Sequence, residues 1–151
     1  MRRQRHAAEK GLSTNAYAKP LPRTDVDTQP FWDACKLHQL RAQRCGDCRQ
    51  FRWPPQAFCP ECYSWKFEWT RLAESGKVTT FVVVHYAAVA AFQPDLPYVV
   101  AHIAIDGTEG RVQLLSNVVG CPWQDVKVGM AVKAVFEDVT PEVTLAKFKP
   151  T

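Results

Sequence analysis

The sequence predicts a mainly β protein with an N-terminal helix, a rubredoxin-like zinc ribbon and then a C-terminal OB-fold β-barrel. Three observations carry that prediction. Cys45-Gly-Asp-Cys48 and Cys59-Pro-Glu-Cys62 form two Cys-x-x-Cys knuckles separated by ten residues. From Lys66 onward the hydrophobic pattern is that of short strands punctuated by turn residues. Ahead of the knuckles lies one short stretch with helical periodicity and a proline near its start. The domain boundaries read from these patterns are an arm at 1–27, helix plus ribbon at 28–66, and the barrel at 67–151.

Residues 1–20 carry few large apolar groups and read as a solvated arm or loose helix, ended by Pro20 and Pro22, which lack an amide hydrogen and clash with a preceding turn. A helix begins near Thr28 or Gln29, with Thr28 as its cap and Pro30 in the first turn. Phe31, Ala34, Cys35 and His38 fall on one face, and Leu37 and Leu40 continue the apolar side into the first knuckle. Between the knuckles, Phe51 to Phe58 reads as a short hairpin whose aromatic residues pack beside the cysteines.

The strands are expected near Phe67–Leu72, Lys77–Tyr86, Tyr98–Ile105, Arg111–Val119, Ala131–Phe136 and Val143–Phe148. Turns are expected at Ser75-Gly76, Pro94-Asp95 with Pro97, Asp106-Gly107 and Val128-Gly129. In Arg111–Val119, Val112, Leu114, Ser116 and Val118 share one face. Lys77–Tyr86 is apolar on both faces, so it needs a barrel core on one side and a second cover on the other. Five or six such strands without a long helix point to a small barrel, and Cys121 to Val126 to a helical turn between two of them.

Composition excludes several classes. The 151 residues are 46% hydrophobic and 23% charged, as in ordinary globular proteins. No run of about 18 apolar residues occurs, so no membrane span is expected. The start, Met1-Arg-Arg-Gln-Arg-His6, is basic but is not followed by an apolar stretch, which predicts a cytoplasmic protein with reduced cysteines. The net charge of +4 is concentrated in the first dozen residues and is too small to argue for a dedicated nucleic-acid domain.

Cys45, Cys48, Cys59 and Cys62 are the predicted metal ligands. Two such knuckles present four soft thiolates to one tetrahedral ion, which suits zinc; iron would use the same ligands, but nothing else in the sequence suggests electron transfer. A redox dithiol is the remaining reading, and two matched pairs argue against it. With all four positions filled by protein, the ion has no open position for water or substrate, so its expected role is structural.

Catalytic patterns are absent from the sequence: it has no Gly-x-Ser-x-Gly, His-Glu-x-x-His, P-loop or Gly-x-Gly-x-x-Gly. His85 and His102 read as satisfied barrel histidines, and Asp106, Glu109 and Asp125 as solvated turn residues. Cys121 has no histidine near it in sequence and reads as part of a turn. No catalytic residue is therefore assigned. The aromatics Phe51, Trp53, Phe58, Tyr63, Trp65, Phe67 and Trp69 crowd the ribbon and first strand; some must pack ribbon against barrel, and on an OB-fold such residues can also stack nucleobases. The apolar stretch Ala87 to Phe92 reads as a contact for protein or an acyl chain.

A wider set of motifs carries a family resemblance. They are Pro30-Phe-Trp32, the two knuckles, Pro54-Pro55, Glu74-Ser-Gly76 with Val78 and Thr79, and Pro97-Tyr-Val-Val100. Ser116-Asn-Val-Val-Gly120, Val128-Gly-Met130 and Phe148-Lys-Pro150 complete the set. From residue 28 onward the chain resembles the acyl-CoA-associated zinc-ribbon/OB-fold proteins, with Gln56 standing where relatives often carry arginine. The resemblance implies an accessory subunit of a thiolase-superfamily complex, such as a thiolase or a lipid-transfer-protein-like aldolase. In it the partner holds the catalytic residues, and this chain supports the partner and the channel for the CoA thioester. It also implies a hetero-oligomer, with a heterotetramer as a common arrangement. The competing expectation is a single-stranded nucleic-acid-binding OB-fold module.

Overall fold

Apolar alternation and turn chemistry are realised as one helix, a small sheet and a closed barrel in a computed structural model that describes residues 17–151. The expected arm at 1–27 therefore lies mostly outside the described residues. Helix α1 spans Gln29–Lys36, with Pro30 in its first turn. Its capping differs from the expectation. Thr28 makes no side-chain cap; instead Asp25 Oδ1 accepts hydrogen bonds from the Thr28 amide at 2.8 Å and hydroxyl at 2.7 Å, while Thr28 Oγ1 accepts from the Asp25 amide at 3.1 Å. The reciprocal arrangement of a capping box thus sits one turn earlier.

The helix buries Phe31, Ala34 and Cys35, as its periodicity requires. His38 and Leu37 depart from the expected face. The helix stops at Lys36, and His38 adopts a left-handed conformation with φ of 54°. Its amide bonds Cys35 O and the Gln39 amide bonds Ala34 O, which reverses the chain. Leu37 is left 66% exposed, whereas Leu40 is fully buried beyond the reversal.

Strands β1 (Arg41–Cys45), β2 (Phe51–Arg52) and β3 (Phe67–Arg71) form a three-stranded antiparallel sheet in the order β2-β1-β3. Two expectations change here. Phe51–Phe58 is not a hairpin of its own; Phe51 and Arg52 pair back onto Arg44 and Gln43, so the first knuckle is itself the hairpin turn. The strand expected at Phe67–Leu72 pairs with β1 over Arg41–Cys45 and belongs to the ribbon sheet instead of the barrel.

The barrel is built from β4 (Ser75–Val84), β5 (Tyr98–Ile105), β6 (Gln113–Val118), β7 (Ala131–Asp138) and β8 (Thr144–Pro150). It closes in the order β4-β5-β6-β8-β7, with β7 returning to β4. All neighbours are antiparallel except β6 and β8, which meet at Val118 and Phe148 in parallel. This is the five-stranded Greek-key barrel of the OB-fold. Ser75-Gly76, expected as a turn, lies inside β4. Gly76 pairs with Ile105 on one side and Val132 on the other, where the barrel closes. A Cβ there would sit 2.5 Å from Ala104 O, so glycine is required by close approach of two backbones.

Alternation sorts the barrel residues as predicted. Val112, Leu114 and Val118 point inward with Ile103, Val132 and Phe148, while Leu115 is 65% exposed. The turn expected after Cys121 is a short 3-10 turn at Trp123–Asp125. On β4, Val82 is 59% exposed, so the second cover that its sequence demands is not supplied by the described residues. Phe31, Cys35, Leu40, Ala42 and Leu72 join the barrel interior in one continuous core. The Leu72 amide bonds Leu40 O at 2.8 Å and the Ala134 amide bonds Glu74 O, which ties the ribbon's root to β7. No helix among the described residues is long and apolar enough to cross a membrane.

Candidate metal centre

The two knuckles are built alike. The Cys45 amide donates to Gln50 O at 2.9 Å and the Cys59 amide to Ser64 O at 2.8 Å, so each turn is closed by the same five-residue bond. The residue after each second cysteine, Arg49 or Tyr63, takes a positive φ, of 63° and 58°. Gly46 lets the first knuckle lie against the chain entering β3: its amide bonds Lys66 O at 2.9 Å, and a Cβ would meet Lys66 Cβ at 2.9 Å. Asp47 ties the knuckles together by accepting from Ser64 Oγ at 2.6 Å and Lys66 Nζ at 3.2 Å. Arg111 Nη1 reaches Glu61 Oε1 at 2.9 Å, which links the second knuckle to the barrel.

These turns bring all four predicted sulfurs together. The Sγ atoms of Cys45, Cys48, Cys59 and Cys62 lie within 4.8 Å of one another. Cys45 to Cys62 and Cys48 to Cys59 are each 3.6 Å apart. A zinc ion with bonds of about 2.3 Å at tetrahedral angles requires sulfurs about 3.8 Å apart. The sulfurs are too far apart for disulfides, and all four cysteines are free thiols. The cage also has the electrostatics of a cation site. Backbone N–H groups of Cys48 and Asp47 aim at the Cys45 sulfur and bring its pKa down to about 6. At Cys48 the Gln50 amide acts the same way, but burial and the neighbouring sulfurs outweigh it and push the thiol up to about 12.

Around the cage the aromatics divide. Trp53 packs on Phe31 with ring centroids 4.8 Å apart, and Phe51, Trp53 and Trp69 lean on the shared core. Phe58, Tyr63, Trp65 and Phe67 remain exposed at the ribbon's far side, Tyr63 and Trp65 by more than 70%. Behind them Arg52 is buried. Its Nε donates to Gln43 Oε1 at 2.7 Å and its guanidinium stacks 4.8 Å from the Phe67 centroid. Gln56, at the position singled out after the double proline, donates its amide to the same Gln43 oxygen.

No side-chain hydrogen bond joins the other candidate residues among the described residues. His85 and His102 are not satisfied inside the barrel: His102 is exposed on the outer face of β5, and His85, just past the end of β4, is exposed and packs edge-on against Trp123 at 5.4 Å. A closed barrel gives each strand an outer face, and His102 falls on it, alternating with buried Ala101 and Ile103. Cys121 is half-buried, and burial raises its thiol pKa, the opposite of an activated nucleophile. In the stretch Ala87 to Phe92, Ala87 is buried, Val89 is 49% exposed, and Phe92 turns toward the end of the barrel.

Comparison with known proteins agrees with this layout. Residues 32–68 match the ChsH2 rubredoxin-like zinc ribbon domain and residues 69–137 the ChsH2 C-terminal OB-fold domain. A probable enoyl-CoA hydratase alpha subunit of Thermomonospora curvata is 34% identical over 87% of this chain, which spans only 40% of that relative's length. A DUF35 domain-containing scaffold protein of Methanocaldococcus jannaschii is 36% identical over 71% of this chain and 78% of its own. Among solved structures, a chain of the Ltp2-ChsH2(DUF35) aldolase superposes with a TM-score of 0.77 at 34% identity, covering 86% of this chain and 98% of that one. With both domain matches in sequence order and the four cysteines assembled as a zinc ribbon requires, this chain belongs to the ChsH2-type zinc-ribbon/OB-fold family, the DUF35 proteins.

Proposed function

We propose that this chain is a non-catalytic accessory subunit of a complex that makes or breaks carbon–carbon bonds in acyl-CoA thioesters. The observation that carries the reading is the match to the aldolase: nearly the whole of that solved chain aligns here, at 34% identity. The hydratase subunit matches over only 40% of its length, which gives the aldolase or thiolase type of partner the better claim. The closed four-cysteine cage supports a structural role for zinc, because a fully protein-ligated ion has no position for substrate. His85 and His102, unpaired among the described residues, and the raised thiol of Cys121 support placing the catalytic residues on the partner.

In this arrangement the zinc ion fixes the ribbon. Backbone amides orient Cys45, Gly46 sets the knuckle against β3, and Asp47 holds the two knuckles in register. The exposed aromatics of the ribbon offer the rigid, amphipathic contact area that interfaces favour. The partner is a thiolase-superfamily subunit, the complex is a hetero-oligomer such as a heterotetramer, and the bound ligand is a CoA thioester in a channel that this chain helps to shape. The location is cytoplasmic.

Co-expression with the thiolase-like product of an adjacent gene tests this. The expected result is co-purification in fixed stoichiometry and a partner that loses solubility or turnover when expressed alone. A chain that never associates, beside a partner fully active by itself, contradicts it. Retention of single-stranded oligonucleotides that weakens steeply with salt would favour the nucleic-acid module instead.

A further inference from the structure

One end of the barrel holds a cavity of about 720 Å³ that has no connection with the metal centre. That volume is in the range of small-molecule sites. Apolar wall comes from Phe92, Tyr98, Val99, Val118 and Leu145. Residues 17–22, ahead of α1, run along it and contribute Tyr17, Lys19 and Leu21. The chain bends at Lys19, and Pro20 and Pro22 fix φ in the residues that follow.

The segment is fastened to the opposite wall. Lys19 forms an ion pair with Asp95, 76 positions away in sequence, and its ammonium lies 5.7 Å from the Phe92 ring centroid and 5.9 Å from that of Tyr17. A second pair, Lys147 with Glu137, lies on the lining as well. The four charges cancel in two contacts. An ionic ligand would have to break one of these pairs to be compensated, whereas a neutral one would not. The Asn117 side-chain amide on the wall is engaged, donating to Val99 O at 2.9 Å.

We propose that this cavity binds a small, uncharged molecule that carries both apolar and polar groups, and that residues 17–22 are its lid, latched by the Lys19–Asp95 pair. The site is independent of the acyl-CoA role proposed above. It would make a neutral ligand a second input to the protein, read at the barrel end remote from the cage.

Nile red, which is uncharged and fluoresces in apolar surroundings, is the probe, with the zinc-loaded full-length chain. Saturable binding at one dye per chain is expected. Leu145→Trp fills the cavity and should weaken binding at least tenfold. Lys19→Ala removes the latch and should speed dye release several-fold. Val82→Asp, on the exposed face of β4, should leave both unchanged. Absence of saturable binding, a Leu145→Trp chain that binds as the native one does, or loss of binding in Val82→Asp would each overturn the proposal. Should Leu145→Trp fail to fold, the native protein decides. Saturating Nile red should slow alkylation of Cys121, on the cavity wall, by N-ethylmaleimide, followed by peptide mass spectrometry; an unchanged rate overturns the proposal.

Discussion

The ribbon and the barrel are two solutions to the same problem of holding short strands together. The barrel closes five strands around Ile103, Val112, Val132 and Phe148, each with essentially no exposure, and every strand in the ring has a neighbour on both sides. The ribbon has a sheet of only three strands, one of them two residues long, and around its two knuckles it contains no apolar core of its own. There, four sulfurs stand where the barrel has side-chain packing. Hydrophobic burial spreads stabilisation over many contacts, so single changes are tolerated in proportion to the volume lost. A metal cage concentrates it in one ion, so the tip folds or fails as a unit.

Zinc removal should break this comparison open most widely. Structural zinc contributes on the order of 10 kcal/mol to small modules. Chelation should therefore melt the ribbon tip while the barrel persists, seen as loss of amide protection over residues 45–66 and retention in β4–β8. Next in size is Phe148→Ala, which empties the barrel centre beside the β6–β8 junction and should cost about 3–5 kcal/mol in denaturant unfolding. Zinc stoichiometry should be unchanged in that variant. Gly76→Ala forces a methyl group into Ala104 O and should cost about 1–3 kcal/mol, again without loss of metal.

The smallest effect concerns the seam between the regions. Asp138 on β7 accepts from the Thr144 hydroxyl at 2.6 Å and lies 3.0 Å from Nε2 of His38, the residue that ends α1. The Thr144 hydrogen bond, and then His38, hold its carboxyl below the usual 3.8. The folded protein thus binds this proton less readily than the unfolded chain. The contribution is present above about pH 4 and is lost as pH falls through the depressed folded value. Asp138→Asn should flatten that part of the acid-unfolding profile and leave the neutral-pH zinc content intact.

How far each region could be read from sequence follows from the range of its interactions. The four-cysteine cluster was legible because a knuckle is a local object: two cysteines three positions apart within one turn. The barrel strands were legible because burial on one face imposes a period of two, as in Val112, Leu114, Ser116 and Val118. Strand β1 was hidden. Arg41, Gln43 and Arg44 do not look like a central strand, and they form one because β2 and β3 flank them. Gln43 is buried only because the guanidinium of Arg52 and the amide of Gln56 meet its oxygen. Gly76 looked like a turn because nothing local reports that two strands crowd it. The latch between Lys19 and Asp95, 76 positions apart, has no sequence signature at all.

Mixing the Cys59→Ser chain with the thiolase-like partner proposed above, followed by light scattering coupled to size exclusion and by partner turnover on the same samples, tests the role of the cage in assembly. Expected are loss of stoichiometric zinc, loss of the complex, and turnover equal to that of the partner alone. A Cys59→Ser chain that retains full zinc and assembles normally, or one that assembles while turnover is abolished, would contradict that role.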